Sequence, residues 1–250
     1  MSPAIAEALR DCRHLLVFTG AGVSAESGIP TFRDALTGLW ARFDPARLAT
    51  PEAFEADPEL VWGWYEWRRQ RVLRAVPNPA HRAIAELARR VPRLTLVTQN
   101  VDDLHERAGS AEVIHLHGSL HAPRCVVCAA PYAGLSDELD EPEEGRRLAP
   151  PRCTSCDGLV RPGVVWFGES LPQAALQQAF DAAAQCDLLL SIGTSGQVYP
   201  AAQVPQIAAQ AGATVVHINP QPVACSGACE HALQGAAGVL LSQLLAAAFA

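Results

Sequence analysis

Five short apolar runs punctuate the chain: LLVFT at 15–19, LTLVT at 94–98, VIHL at 113–116, LLLSI at 188–192 and VVHI at 215–218. Each leads into polar or turn-forming residues. Runs of this length that stay apolar on both faces predict buried parallel strands. Helical periodicity fills the intervals at 79–90, 173–185 and 201–211. Strands alternating with helices predict an α/β chain, a parallel sheet covered on both faces. Ser2 followed by Pro3 predicts an N-cap and first helical position, and the apolar stretch 239–250 a packed terminal helix.

Two segments break the rhythm. Residues 28–58 carry Pro, Gly and Phe without a period and are expected to form a long loop. Residues 121–165 hold four clustered cysteines and the polar stretch 137–147, and read as a small inserted module.

Composition narrows the classes. The 250 residues are 49% hydrophobic and 18% charged, enough for a sizeable core, and the net charge is −7. No basic run suggests nucleic acid, and no apolar run is long enough for a membrane span. The N-terminal residues lack a basic and apolar leader pattern. A cytoplasmic chain without nucleic-acid or membrane partners, and a monomer, is expected.

The first strand runs into Gly20-Ala21-Gly22-Val23-Ser24-Ala25, a G-x-G-x-x-A turn that predicts a following helix. Glycines let a backbone approach a pyrophosphate, and a helix N-terminus offers it free N–H groups. A plain strand-to-helix turn has the same pattern. A hydride-transferring dehydrogenase would carry an acidic residue about 20 positions on, at the end of a second strand. Here that stretch is LWARFDP, which is no parallel strand.

Cys125-x-x-Cys128 and Cys153-x-x-Cys156 lie 24 residues apart. Four thiolates suit a tetrahedral Zn²⁺, and a closed Cys₄ shell leaves no open position for chemistry, so the metal is expected to be structural. Redox dithiols are the alternative. Cys225 and Cys229 supply too few ligands for a second site, and Cys12 and Cys186 read as small packed residues.

Further motifs complete an ordered set: GAGVSAESGIPTFR at 20–33, TQNVDDLH at 98–105, HLHGS at 115–119, GTS at 193–195 and INP at 218–220. In this order, with the cysteines after HLHGS, the chain from about 10 to 245 resembles the sirtuin family of NAD⁺-dependent protein deacylases. The resemblance implies a Rossmann-like large domain (1–30, 76–120 and 164–250), a cofactor-binding loop with the helical part of a small domain (31–75), and a zinc-binding module (121–163). It implies that Gly20, Ala21 and Gly22 cradle the pyrophosphate, that Ala25 also binds the cofactor, and that Ile29, Phe32, Arg33 and Trp40 belong to the cofactor-binding loop. Gln99, Asn100 and Asp102 would line the ribose and nicotinamide pocket. Gly193, Thr194, Ser195, Asn219 and Ala237 would meet the ADP-ribose half. Gln221 stands where the family often has an acidic residue; an amide keeps a hydrogen bond to a hydroxyl but brings no charge.

The same resemblance makes His117 the general base. NAD⁺ would be consumed: nicotinamide leaves, His117 deprotonates a ribose hydroxyl, and the acyl group ends on ADP-ribose. An imidazole titrates near neutrality and suits the task. His115, two residues earlier on the same face, is expected to be an ordinary, satisfied strand histidine. Tyr65 and Arg68, i and i+3 on one helix face, resemble the Tyr-x-x-Arg signature of sirtuins that remove negatively charged acyl groups, and Ala49 matches the small residue of their wide acyl pocket. A guanidinium pairs in a fork with a terminal carboxylate, so succinyl or malonyl over acetyl is the expected preference. Read without the resemblance, the helix is amphipathic, with core aromatics and Arg68 at a solvated rim. Val164, Phe167 and Gly168 would hold the acyl-lysine peptide by its backbone, opposite Val198. A protein ADP-ribosyltransferase and a non-catalytic NAD-binding module are the rival readings.

Overall fold

The structure is a computed structural model that describes residues 2–30, 44–137, 142, 144–225, 227 and 229–249. Six strands form one parallel sheet in the order β3-β2-β1-β6-β7-β8: β1 (Leu15–Thr19), β2 (Leu94–Thr98), β3 (Val113–His115), β6 (Leu188–Ile192), β7 (Thr214–Asn219) and β8 (Glu230–Gln234). The central strand β1 is buried along its whole length. Its alternate residues serve opposite cores. Leu15 and Val17 pack under helices α1 (Pro3–Asp11), α5 (Pro79–Arg90) and α9 (Ala237–Phe249), with Leu9, Ile84 and Leu241. Leu16 and Phe18 face α7 (Gln173–Gln185) and α8 (Gln203–Gln210), with Ala183 and Val204. Period-two projection from a two-sided sheet explains why the strands read as unbroken apolar runs.

A third core lies apart from the sheet. Trp62, Trp64, Tyr65 and Trp67 of α4 (Pro58–Arg74) pack with Phe54 of α3 (Pro51–Ala56), Leu48 of α2 (Pro45–Leu48), Leu120, Val160, Val164 and Trp166. The two-stranded ribbon of β4 (Arg124–Cys125) and β5 (Val160–Arg161) adjoins it. Arg107 of α6 (Leu104–Arg107) joins this unit to the sheet, donating to the carbonyls of Val72 and Ala75 at 3.0 and 2.5 Å.

Several expectations need correction. The glycine-rich turn is followed by two short 3₁₀ turns, Ala21–Val23 and Ala25–Ser27, rather than an α-helix. The described part of 28–58 contains α2 and α3, too short to show a period but each begun by a capping residue and Pro: Asp44 accepts from Ala46 N and Thr50 from Ala53 N. Ser2, by contrast, makes no side-chain cap bond. Strand β8 was not foreseen, because its half-exposed sequence EHALQ is an edge strand without an apolar run. Strand β3 stops at His115, and helix α8 spans Gln203–Gln210 within the expected 201–211.

Candidate active site

The expected cofactor residues converge at the carboxyl ends of the strands, where the chain leaves β1 towards β2 on one side and β6 lies on the other. Such a switch point leaves a crevice outside the sheet. Two turns meet there. Gly22 N donates to Gly193 O at 2.8 Å, and a Cβ on Gly22 would lie 2.7 Å from Gly193 Cα. A Cβ on Gly20 would stand 2.9 Å from Gly193 O. These glycines are therefore required by the approach of the β1 and β6 turns, besides any ligand. Gly193 itself has φ of 61° and needs its glycine. Gln99 donates from Nε2 to Thr194 Oγ1 at 2.9 Å, and Asn219 Nδ2 to Thr194 O at 3.1 Å, so the ends of β2, β6 and β7 are tied together. Ser195 and Gln221 are exposed beside them; Ala237 is buried at the start of α9. Ala21, Ala25 and Ile29 lie along the short 3₁₀ turns and just after them, while Phe32, Arg33 and Trp40 fall outside the described residues.

Beneath this crevice runs a buried polar network. Ser24 Oγ donates to Asp102 Oδ2 at 3.0 Å and accepts from Asn100 Nδ2 at 3.1 Å. Asp102 Oδ1 accepts from Leu104 N at 3.2 Å. Burial pushes the Asp102 carboxyl above the usual range. His81 lies behind Ser24, its Nε2 3.5 Å from the hydroxyl. Asn78 N donates to His81 Nδ1, so the ring hydrogen sits on Nε2 and points at Ser24. Further in, His105 Nε2 meets Thr19 Oγ1 at 3.0 Å, and Thr19 donates to Thr98 Oγ1 at 2.8 Å. Burial drives His81 to about 4 and His105 to about 3, so both are neutral at pH 7. Neither Ser24 nor His81 was singled out from the sequence. Ser24 lay inside the motif, whereas His81 sits on an ordinary helix, and only packing carries it to the site.

His115 and His117 treat consecutive carbonyls alike. His117 Nδ1 lies 2.8 Å from Gln99 O, and His115 Nδ1 3.1 Å from Asn100 O. A carbonyl only accepts, so each Nδ1 carries the hydrogen. For His117 the lone pair is then on Nε2, the arrangement of a base. Desolvation lowers its pKa, and the bond to Gln99 O acts in the opposite sense.

The small unit supplies a second wall. Tyr65 is buried, and its oxygen accepts from Trp166 Nε1 at 3.0 Å, which leaves the hydroxyl hydrogen for another acceptor. Burial pushes the phenol up to about 12. The half-buried Arg68 guanidinium lies over the rings of Trp64 at 5.0 Å and Tyr65 at 5.7 Å. Tyr65 and Arg68 thus share one face. Arg68 is partly desolvated, and Asp102 adds an attractive charge. Ala49 is buried, and its carbonyl accepts from Phe167 N at 2.9 Å. Val165 N donates to His117 O at 2.9 Å, and Val164 bridges Gly118, so the segment 164–167 runs from the histidine to Ala49 of the small unit. Val164 is buried, while Phe167 and, in the loop after β6, Val198 are exposed. Gly168 has φ of 87°.

An ion pair not read from the sequence props this segment. Arg161, almost fully buried, forks onto Glu169 at 2.5 and 2.8 Å, reaches Val164 O at 3.2 Å and stacks on Trp166 at 3.5 Å. Glu169 also accepts from Trp166 N at 2.8 Å.

The four cysteines of the inserted module come together, every Sγ within 4.8 Å of the others. Three Sγ pairs lie 3.5 to 3.6 Å apart. Tetrahedral zinc with Zn–S about 2.3 Å requires sulfurs about 3.8 Å apart, so the set fits that ion. Val127 N and Ser155 N point at Cys125 and Cys153 Sγ at 3.3 and 3.4 Å, as thiolate ligands require. Cys12 and Cys186 are buried, and Cys225 and Cys229 exposed, outside this cluster.

The chain and its fold are similar to known proteins. The Sir2 family model matches residues 20–200. An NAD-dependent protein deacylase 1 of Pseudomonas aeruginosa is 66% identical over 98% of this chain and 98% of its own. An NAD-dependent protein deacylase of Methylococcus capsulatus is 64% identical over 98% of this chain and 96% of its own. Among solved structures, a Sir2 homolog–NAD complex superposes with a TM-score of 0.88 at 44% identity, covering 98% of this chain and 93% of that one. A Sir2–p53 peptide–NAD⁺ structure does so at 0.83 and 30%, covering 98% of each. With the strand-end crevice, the paired histidines and the cysteine cluster in place, the chain belongs to the Sir2 family.

Proposed function

We propose that this protein removes acyl groups from protein lysines at the expense of NAD⁺. The reaction breaks the ribose–nicotinamide bond and the bond between acyl carbon and lysine nitrogen, takes up water, and releases nicotinamide, the free amine and O-acyl-ADP-ribose. The observation that carries this reading is His117: its Nδ1 is tied to Gln99 O, so the basic Nε2 is held in orientation beside a crevice built from the expected NAD residues. His117 then takes the proton from a ribose hydroxyl. Gly20 to Ala25, Thr194 and Asn219 hold the ADP-ribose half. Asn100 and Asp102 line the nicotinamide end, and Ser24 keeps both in place. The 164–167 segment and Val198 grip the peptide backbone. A zinc ion on Cys125, Cys128, Cys153 and Cys156 would clamp the inserted module and take no part in the chemistry.

The finer reading is a preference for succinyl or malonyl over acetyl. The half-buried Arg68 guanidinium lies over the Tyr65 ring, Ala49 packs in the same core as Tyr65, and a partly desolvated guanidinium favours a terminal carboxylate. Mass spectrometry of matched succinyl- and acetyl-lysine peptides, with and without NAD⁺, tests both levels. NAD⁺-dependent loss of succinyl faster than acetyl is the expected result. Faster loss of acetyl would overturn the selectivity, and turnover of neither would overturn the deacylase reading.

A further inference from the structure

His115 stands in a closed ring of contacts. Its Nδ1 donates to Asn100 O at 3.1 Å, and its Nε2 lies 2.7 Å from Glu106 Oε1. Glu106 sits on helix α6, whose first residue, Leu104, donates its backbone N–H to Asp102. The ring therefore runs from Asn100 through His115 and Glu106 to α6, and back through Asp102. A neutral imidazole with its hydrogen on Nδ1 would present a lone pair to the Glu106 carboxylate. With Glu106 ionised, both contacts are made together by an imidazolium facing a carboxylate, a charge-assisted bond on each side of the ring. The other titratable groups nearby are Asp102, Asp103, His105 and His121, with Arg107 held by Asp103 at 3.6 Å.

Asn100 is restrained three times over. Its N–H donates to Thr98 Oγ1 at 3.0 Å, its side chain to Ser24 at 3.1 Å, and its carbonyl accepts from His115. The first two lie in the buried network; the third comes from His115, whose other ring nitrogen meets Glu106 of α6. We propose that His115, held by Glu106, is a positioning residue for NAD⁺: it fixes the peptide after Asn100, and with it the Asn100 amide and Asp102 carboxyl at the nicotinamide end. This inference rests on the reading of the crevice as the NAD⁺ site. It goes beyond the expectation that His115 is merely a satisfied strand residue.

The test compares wild type with H115A, E106A and E106Q by equilibrium NAD⁺ binding, by KM and kcat, and by thermal unfolding. Losing one charge-assisted bond that orders the pocket is expected to weaken NAD⁺ binding and raise its KM about tenfold in H115A, with the peptide KM unchanged. E106A should show a smaller loss. E106Q should recover most of the wild-type value, because a glutamine amide donates to the Nε2 lone pair of a neutral ring. Equal NAD⁺ affinity in folded H115A and wild type would overturn the proposal, as would equal losses in E106A and E106Q. Should H115A not fold, the E106A and E106Q pair decides. A wild type that binds NAD⁺ without turning over would fail the deacylase reading alone, and the affinity ratios would still judge His115.

Discussion

A single hydrogen bond decides how His117 behaves. The Gln99 carbonyl assigns the ring hydrogen to Nδ1, and burial disfavours the charged form. The base is active when neutral, so a lowered pKa keeps it competent further into acid. The acid limb of kcat/KM is expected to have its midpoint below 6.5, with activity lost as pH falls through it. His117→Ala should reduce kcat about 100- to 10,000-fold, the range for removal of a general base, at unchanged thermal stability. Arg68 lends itself to a similar argument. Arg68→Met should cost turnover of succinyl-lysine about 100-fold while sparing acetyl-lysine within a few-fold, because only the former has a carboxylate to pair; equal losses on both would return Arg68 to a packing role. The buried His81 and His105 bear on stability instead. Their folded pKa values, about 4 and about 3, lie below the ordinary 6.5, so on acidification the unfolded chain takes up protons that the folded one refuses. Stability is then independent of these groups above about pH 6.5 and falls as pH drops from there towards about 3, which unfolding curves across that window would record.

Among the elements, the cysteine module and the short helices were legible to different degrees. Two C-x-x-C pairs imply a metal site from spacing alone, and the 3.5 to 3.6 Å sulfur separations agree with it. Elemental analysis is expected to find one zinc per chain. Cys153→Ser should lose it and lower the melting temperature, with the loss of the buried ligand disordering β4 and β5 more than the sheet. Helices α2 and α3 were hidden because four and six residues cannot establish a period, although the pairs Asp44-Pro45 and Thr50-Pro51 carry the same N-cap signal as Ser2-Pro3. Thr50→Ala is expected to cost about 1 kcal/mol, the usual worth of a cap. Strand β8 escaped for the opposite reason: an edge strand with one partner needs no apolar run, and β7 supplies its register.

At the scale of the molecule, the 19 lysine and arginine positions of the chain are all arginine. A protein without lysine offers no Nζ to acylation. Incubated with succinyl-CoA, its lysine-directed mass gain should be zero, so loss of acyl signal in an assay comes from the substrate alone. Arginine also serves the joints between the units. Arg107 ties α6 to the end of α4, and Arg161 with Glu169 braces the segment leading from His117 to Ala49. A planar fork meets two acceptors in a fixed geometry, which the freely rotating donors of a lysine ammonium do not impose. What the sequence by itself determined was local: which runs are strands, where the glycines fall, which cysteines pair by spacing, and which ordered motifs mark the family. Those signals survive in one dimension because each arises from neighbours within a few residues. The tertiary structure alone decided the rest. It placed His81 behind Ser24 across 57 positions, Tyr65 under Trp166 across 101, and Glu106 against His115, since hydrogen bonds between distant segments depend on how the layers pack and leave no period in the chain.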